Sequence, residues 1–565
     1  MAASNTPAMS NFTGPIVIDP LTRLEGHLRI EVEVENGKVK NAYSCGTLFR
    51  GLENILVGRD PRDAQHITQR ACGVCTYTHA LASTRAVDNA VKVQLPPLAV
   101  SIRNLVLAAH FMHDHMVHFY HLHALDFVNV ANALNAKPAA AAKLLAMRPN
   151  NTTSEAEITK KMEAVQARLK KFIGSGQIGP FTNAMFLGEP HPAYRLTPEL
   201  DLIGTAHYLD ALHMQVKASR AVAAFGGKHP HPQFTIVGGV TSYESLTPAR
   251  IKEFTDLVTE TIAFINNVYI PDLLTFAGEY KDVATYGGTT NFLAAGEFCK
   301  DPNDMTTGFY KPGVIRNRDL KKVEPYDQKK VAEHVRHSWY KGAEALHPSV
   351  GVTDPAFTDL HGDDRYSWSK APRYDTLSME TGPLATVLVN YAQGHKEIVS
   401  NVNAVLKTLG VGPEALFSTL GRTAARGIET MTIANQLLGW IDEYKGAIAK
   451  EGSKAVINVP WEMPNEAEGV GYVNAPRGML SHWIRIENKK IANFQLVVPT
   501  TWNIAPRCAN GYLGPVEEAL IGTPVADPKR PVEILRTVHS FDPCLACAIH
   551  VIDPVTNERR EFKVL

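Results

Sequence analysis

"HSFDPCLACAIHVIDPVTNERREFKVL" closes the chain, residues 539–565. Cys544 and Cys547 form a CxxC pair, His550 follows, and a charged tail runs on to Leu565. A two-residue spacer places both sulfurs on one side of a turn, so the pair reads as half of a metal site. A second pair lies near the other end of the chain, in "QRACGVCTYTHA", residues 69–80, with Cys72, Cys75 and then His79. Four soft ligands drawn from opposite ends of a chain meet only inside its fold, so a shared metal would be buried. From spacing alone three readings stand: one four-thiolate site, two separate sites, or none. A zinc ribbon brings its pairs within about 15 to 20 residues of each other, whereas these are separated by most of the chain. Haem attachment needs CxxCH, but Thr76 and Ala548 occupy the next positions. A thioredoxin-type pair expects a βαβ setting that neither end offers.

The bulk numbers describe a globular chain. It has 565 residues, 45% hydrophobic and 20% charged, with 57 basic and 57 acidic residues. A balanced charge argues against a nucleic-acid partner, which selects a basic face. No apolar run reaches the roughly 18 residues that span a bilayer, so no transmembrane segment is expected. The start, "MAASNTPAMSNFTGPIV", has neither a basic nor a continuous apolar region, so no secretory signal is read. Seven cysteines are too few, and odd in number, for a disulfide framework. Cys45, Cys299 and Cys508 read as small buried hydrophobes.

The fold class expected is α+β: a core bundle of long helices with small β-sheets or hairpins at the N- and C-terminal regions. Residues 15–51 alternate around an "NGK" turn, the pattern of a hairpin. Helical spacing predicts long helices over Leu98–Leu134 and Pro198–Phe225, and another from Thr247 as N-cap past Ile270, with a break at Pro271. Residues 285–372 turn to Gly, Pro, Asp and aromatics, which predicts irregular chain and short strands. Helices return over Pro383–Leu409 and Pro413–Lys450, and "MLSHWIRIENKKIANFQLVVPTTW", residues 479–502, reads as a second hairpin. "VIDPLTR" at Val17 and "VIDPVTN" at Val551 are nearly the same heptapeptide, and nothing is built on the match.

RxCGxCxxxH with DPCxxCxxH resembles the paired signature of the large subunit of nickel–iron hydrogenases. "DPLTRLEGHLRIEVE", "FRGLE", "RDPRDA", "HDHMVHFYHLHALD", "STLGRTAARGIET", "APRGMLSHW" and "RPVEILRTVHSFDPC" extend the resemblance through nearly the whole chain. The likeness is greatest to the periplasmic sulfate-reducer type that pairs with cytochrome c3.

The resemblance implies a nickel held by Cys72, Cys75, Cys544 and Cys547. Cys75 and Cys547 would bridge to an iron carrying carbon monoxide and cyanide. It implies Glu25 as first proton relay from Cys544, and Arg477 over the open side of the metals. Asp114 and Asp542 would hold that arginine. His79 would bond a bridging sulfur, while the Pro476–Arg477 backbone and the Thr500 hydroxyl, usually a serine in the family, would contact the cyanides. Glu53, the Leu496 carbonyl and His550 would bind magnesium. The helix histidines His110, His113, His115, His118, His121 and His123 stay unassigned.

The implied reaction is reversible oxidation of H2 to protons and electrons. Electrons would pass to an iron–sulfur small subunit and on to a c-type cytochrome. The small subunit would carry a twin-arginine signal and take this chain with it to the periplasm. Residues 1–550 would form a single domain, and 551–565 a propeptide removed by a nickel-dependent endopeptidase. Two relatives of other function compete: an H2-sensing subunit, which normally lacks such a tail, and a structural relative with zinc or no metal, which has lost the cysteines.

Overall fold

In the computed structural model, residues 10–176, 191–342 and 344–548 are described. His550 and the tail lie outside them. The chain is helix-rich with small antiparallel sheets, as the sequence predicts.

The N-terminal hairpin belongs to a three-stranded sheet, Gly14–Leu21, Leu28–Glu35 and Lys38–Gly46, with Leu28–Glu35 in the centre. Asn36 and Gly37 both have positive φ, the backbone of a tight two-residue turn whose twist matches its strands. Leu28, Ile30, Val32 and Val34 alternate into the core. There they pack with Ile534, Leu535, Val538 and Phe541, so the N-terminal sheet rests on the C-terminal helix Val532–Ser540. This contact brings the two ends of the chain together.

The helical core is built on Pro97–Val117, which packs against Pro198–Gly226 and Thr419–Glu451. The helix expected to run to Leu134 leaves α geometry at His118. It continues as a π-turn, His118–His123, and a short 3-10 turn, Ala124–Asp126. Pro271 does not break its helix. Pro248–Phe264 passes through a π-turn, Ile265–Tyr269, into Ile270–Glu279. The wider turn accommodates a residue that lacks an N–H and whose ring crowds the preceding turn. The run from Pro383 divides into Pro383–Ala392 and Lys396–Leu409 around Gly394, whose φ is positive. The run from Pro413 begins as a 3-10 turn, after which the Ser418 hydroxyl caps Thr419–Glu451.

The second hairpin is also part of a three-stranded sheet, Glu466–Ala475, Gly478–Glu487 and Lys490–Val497. Its expected end, "PTTW", is instead the helix Pro499–Asn503, with proline at its first position. The unpredicted strand Glu466–Ala475 lies along the equally unpredicted helix Thr76–Ala90. Glycine permits the approach: a Cβ on Gly471 would lie 2.1 Å from the Ala82 carbonyl oxygen. Between these sheets the chain forms only short strands, such as Val331–His334 and Ala371–Tyr374, as its composition predicts. Among the described residues no helix is long and apolar enough to cross a membrane.

Candidate metal centre

Cys72 follows a 3-10 turn in extended conformation, and Cys75 occupies the N-cap of Thr76–Ala90. The N–H groups of Val74 and Cys75 point at Cys72 Sγ, at 3.1 and 3.3 Å. A helix N-terminus and donated N–H groups favour thiolate over thiol. Cys544 arrives from the other end of the chain, just before the short helix Leu545–Ala548. Its backbone pairs with that of Glu25, and Leu545 N–H donates to the Glu25 carbonyl at 2.7 Å.

The three sulfurs lie within 4.8 Å of one another and are buried. Cys544 Sγ is 3.2 Å from Cys72 Sγ and 3.8 Å from Cys75 Sγ. These separations are far beyond the roughly 2.05 Å of a disulfide. Converging thiolates in a dry core need a cation, because uncompensated buried charge is costly. The donor set therefore fits a soft metal. Cys547 falls in the Leu545–Ala548 helix, but its side chain lies outside the described residues.

Arg477 lies within electrostatic reach of Cys544 and Cys75, but two carboxylates share it. It occupies, with Pro476, the two-residue turn between Ala475 and Gly478. Its Nη1 donates to Asp114 Oδ2 at 3.1 Å, Nη2 to Asp542 Oδ1 at 2.9 Å, and Nε to the Asp542 carbonyl at 2.9 Å. All three residues are buried. Burial alone would raise the Asp114 carboxyl, but His110, His113 and Arg477 pull it well below the usual carboxylate range. Asp542 is raised by burial despite its two arginines, and its φ is positive. Backbone in that region is a cost the surrounding structure must hold in place.

Glu25 Oε2 accepts from Cys544 Sγ at 3.2 Å and from Ala546 N–H at 2.9 Å. Burial and the nearby Cys72 charge raise its pKa to about 7, against the pull of Ala546 N–H, Cys544 and Arg477. Thr500 Oγ1 accepts from Cys544 N–H at 3.1 Å, so this hydroxyl braces a cysteine. The Pro476 carbonyl accepts from Arg426 at 3.1 Å. His79 turns Nδ1 to His482 Nε2 at 3.2 Å, and burial lowers its pKa to about 4. It is a neutral imidazole.

Around Glu53 the structure adds groups that the sequence did not reveal. Glu53 Oε1 accepts from Leu496 N–H at 2.9 Å, which sets Leu496 beside this carboxylate. Thr353 donates to Glu53 Oε2, and Lys370 Nζ lies 3.4 Å from it. Glu333, whose oxygens accept no hydrogen bond, is raised to about 7 by burial and by Glu53, with Lys370 opposing. These residues line a cavity of about 20 Å³. Two buried carboxylates and one ammonium leave room and net negative charge for a hard cation.

Arg426 was also missed, although "STLGRTAARGIET" hinted at it by placing arginines in an apolar run. It joins the Pro476 carbonyl, Asp542 and His115 Nδ1. An arginine only donates, so His115 carries its proton on Nε2 and donates to Glu429 at 2.9 Å. The remaining cysteines, Cys45, Cys299 and Cys508, are buried core residues, as expected.

Helical packing thus delivers two ends of one chain to a buried thiolate centre, overlooked by a fixed arginine and touched by one carboxylate. The fold and site define a metalloprotein of the thiolate-bound redox class. The description "Nickel-dependent hydrogenase" matches residues 50–550, and "HoxL-like" matches residues 15–45. The uptake hydrogenase large subunit of Rhizobium leguminosarum bv. viciae is 43% identical over 584 residues, covering 97% of each chain. The hydrogenase-2 large chain of Escherichia coli (strain K12) is 42% identical over 578 residues, covering 97% of this chain and 99% of its own. The nickel–iron–selenium hydrogenase of Desulfovibrio vulgaris Hildenborough superimposes with a TM-score of 0.78 at 35% identity, over 95% of this chain and 100% of that one. The chain belongs to the nickel-dependent hydrogenase family.

Proposed function

We propose that this chain is the catalytic large subunit of a nickel–iron hydrogenase and oxidises H2 reversibly to two protons and two electrons. The observation that carries this is the convergence of Cys72, Cys75 and Cys544 beside Glu25 and near Arg477. Cys72, Cys75, Cys544 and, by motif, Cys547 would hold nickel, and Cys75 and Cys547 would also hold an iron carrying CO and cyanide. When bound, the metals supply the redox-active, Lewis-acidic seat at which H2 is cleaved.

The chain supplies the rest. Cys544 Sγ holds a proton and Glu25 Oε2, one hydrogen bond away, takes it. A carboxyl near neutral pKa both accepts and releases at working pH. Arg477 stays charged and fixed because Asp114 and Asp542 grip it on two sides. There it would present a fixed cation to the bound metals, with no reorganisation during turnover. The Pro476–Arg477 backbone and the Thr500 hydroxyl would receive the cyanide ligands, as the resemblance implies. The His79–His482 pair and Ser83, which bonds His482 Nδ1 at 2.8 Å, stiffen the helix start that carries Cys75.

Magnesium is proposed at Glu53, Leu496 and His550, supported by the Glu333 carboxylate, whose oxygens accept no hydrogen bond, and by the small cavity. Electrons leave through an iron–sulfur small subunit to a c-type cytochrome, cytochrome c3 by motif. The pair is exported to the periplasm under a twin-arginine signal on the small subunit. Residues 1–550 act as one domain, and an endopeptidase removes 551–565. The family match ending at His550 supports that boundary. Nickel and iron analysis of the purified heterodimer, with infrared bands of metal-bound CO and cyanide, tests the centre. A zinc-only protein without those bands would end the proposal. Reduction of cytochrome c3 by H2, and recovery of activity in the periplasmic fraction, test acceptor and compartment.

A further inference from the structure

Asp126 is fully buried where the π-turn His118–His123 passes into Ala124–Asp126. Arg23 pairs with it and also donates to the Leu122 carbonyl at 2.8 Å. His539 Nδ1 lies 2.7 Å from Asp126 Oδ2, and His539 Nε2 lies 2.7 Å from the Thr22 carbonyl. A carbonyl and an ionised carboxylate only accept, so both ring nitrogens must carry hydrogen. His539 is therefore an imidazolium. Burial alone would raise Asp126, but Arg23 and His539 hold it well below the usual carboxylate range, which keeps it ionised.

The other groups facing this cluster are accounted for. His123 Nε2 meets Thr423 Oγ1 at 2.9 Å, and its Nδ1 stands 3.4 Å from Asp126. His118 Nε2 donates to the His539 carbonyl at 2.7 Å, and Arg536 Nε donates to the Asp126 carbonyl at 2.9 Å. His123, Asp126 and His539 have the composition of a metal site. Their carboxylate is already neutralised by Arg23 and His539, so a metal would have to expel a cation.

The cluster joins two chain segments that matter elsewhere. Thr22 stands three residues before Glu25, and His539 five before Cys544. The Thr22–His539 bond ties the segments on one side of the Glu25–Cys544 contact. The Leu545 N–H bond to the Glu25 carbonyl ties them on the other. Between the two ties the Cys544 thiol meets the Glu25 carboxylate.

We propose that Arg23, Asp126 and His539 are positioning residues, a buried ionic clamp that sets the Glu25–Cys544 distance. This rests on the reading of Glu25 as the proton relay. Proton transfer falls off steeply with donor–acceptor distance, so slack in one tie slows it without touching the metals. Glutamine at 539 donates from one nitrogen only and carries no charge, so it cannot bridge Asp126 and Thr22 as an imidazolium does.

The test uses the metal-loaded heterodimer with His539→Gln, Asp126→Asn and His539→Lys. In His539→Gln and Asp126→Asn, nickel content and the KM for H2 should stay at wild-type values. H2 oxidation should fall about tenfold, roughly the 1.4 kcal/mol that corresponds to one decade. The solvent deuterium isotope effect should rise, and the Glu25 carboxyl infrared band, assigned by its loss in Glu25→Gln, should shift. His539→Lys restores a cation with several donors and should recover part of the rate. An unshifted Glu25 band with an unchanged isotope effect overturns the clamp. So does activity lost in step with nickel, or a metal beyond nickel, iron and magnesium bound at these residues. If Glu25→Gln keeps full activity, the relay reading fails instead, and the band shift still reports on the clamp by itself.

Discussion

The Cys544 thiol donates to Glu25 Oε2 across 3.2 Å, and the same oxygen also accepts from Ala546 N–H at 2.9 Å. One carboxylate therefore reads both the side chain and the backbone of the segment that carries Cys544. Glu25→Gln keeps the volume but can present an amide N–H to the thiol. It should retain nickel and lose at least about a hundredfold in H2 oxidation, the scale of a positioned acid–base group. Glu25→Asp withdraws the acceptor by one methylene and should fall between the two. Steady-state rates normalised to nickel check the order.

Arg477→Lys should fold and load metal yet lose about a hundredfold in rate. A lysine keeps the charge but not the planar fork that engages Asp114, Asp542 Oδ1 and the Asp542 carbonyl together. Asp542→Ala removes one partner of a buried pair and should lower stability by about 3 to 5 kcal/mol. Full activity in Arg477→Lys would show that charge alone suffices. Rates per nickel and chemical unfolding decide both.

Glu429 gives a pH signature of stability. Burial raises its pKa from 4.5 to about 8, with Arg426 opposing. Between those values the native chain holds a proton that the unfolded chain has released, so stability falls as pH rises through that window. The limiting slope is about 1.4 kcal/mol per pH unit. Glu429→Gln has no such proton and still accepts from His115 Nε2. The difference in unfolding free energy between wild type and Glu429→Gln, measured from pH 5 to about 8, should shift steadily toward the variant. A constant difference would contradict the raised pKa.

Much of this was legible from residues whose chemistry is local. The CxxC pairs, the Asn36–Gly37 turn and Pro248 at a helix start announce themselves within a few positions. What was missed depends on what lies across the fold. Thr76–Ala90 is buried on nearly every side, so no amphipathic stripe marks it. The chain absorbs Pro271 in a π-turn because neighbouring helices hold both halves. Lys370 and Glu333 are ordinary charged residues in a loop-rich region until the fold sets them beside Glu53. Arg426 was visible as an arginine among apolar residues, but its partners, Pro476 and Asp542, come from distant segments.

The Glu53 cluster predicts one magnesium per mature chain. Two carboxylates face Lys370, whose ammonium lies 3.4 Å from Glu53 and 3.6 Å from Glu333. Glu53→Gln should remove the magnesium and lower thermal stability while leaving nickel in place. Metal analysis of the purified heterodimer reads both ions at once. Wild-type protein with full nickel and no magnesium would refute the site.

Maturation gives the last prediction. Cys544 is wholly buried, and the backbone N–H groups of Leu545 and Ala546 donate to the Glu25 carbonyl and carboxylate. A segment continuing from His550 carries Glu558, Arg559, Arg560 and Glu561, which cannot enter that core without an unpaired-charge cost. The maturation proposed above expects such a tail, while attached, to leave a route for metal insertion. On that reading, cleavage after His550 would free the new end to approach Glu53 and close the site. Active, nickel-loaded enzyme should therefore show a chain mass ending at His550 in mass spectrometry. A chain truncated genetically after His550 should fold but load little nickel, because it closes before the metal arrives. Full nickel loading in that truncated chain, or an active chain ending at Leu565, would show that the tail plays no part in insertion.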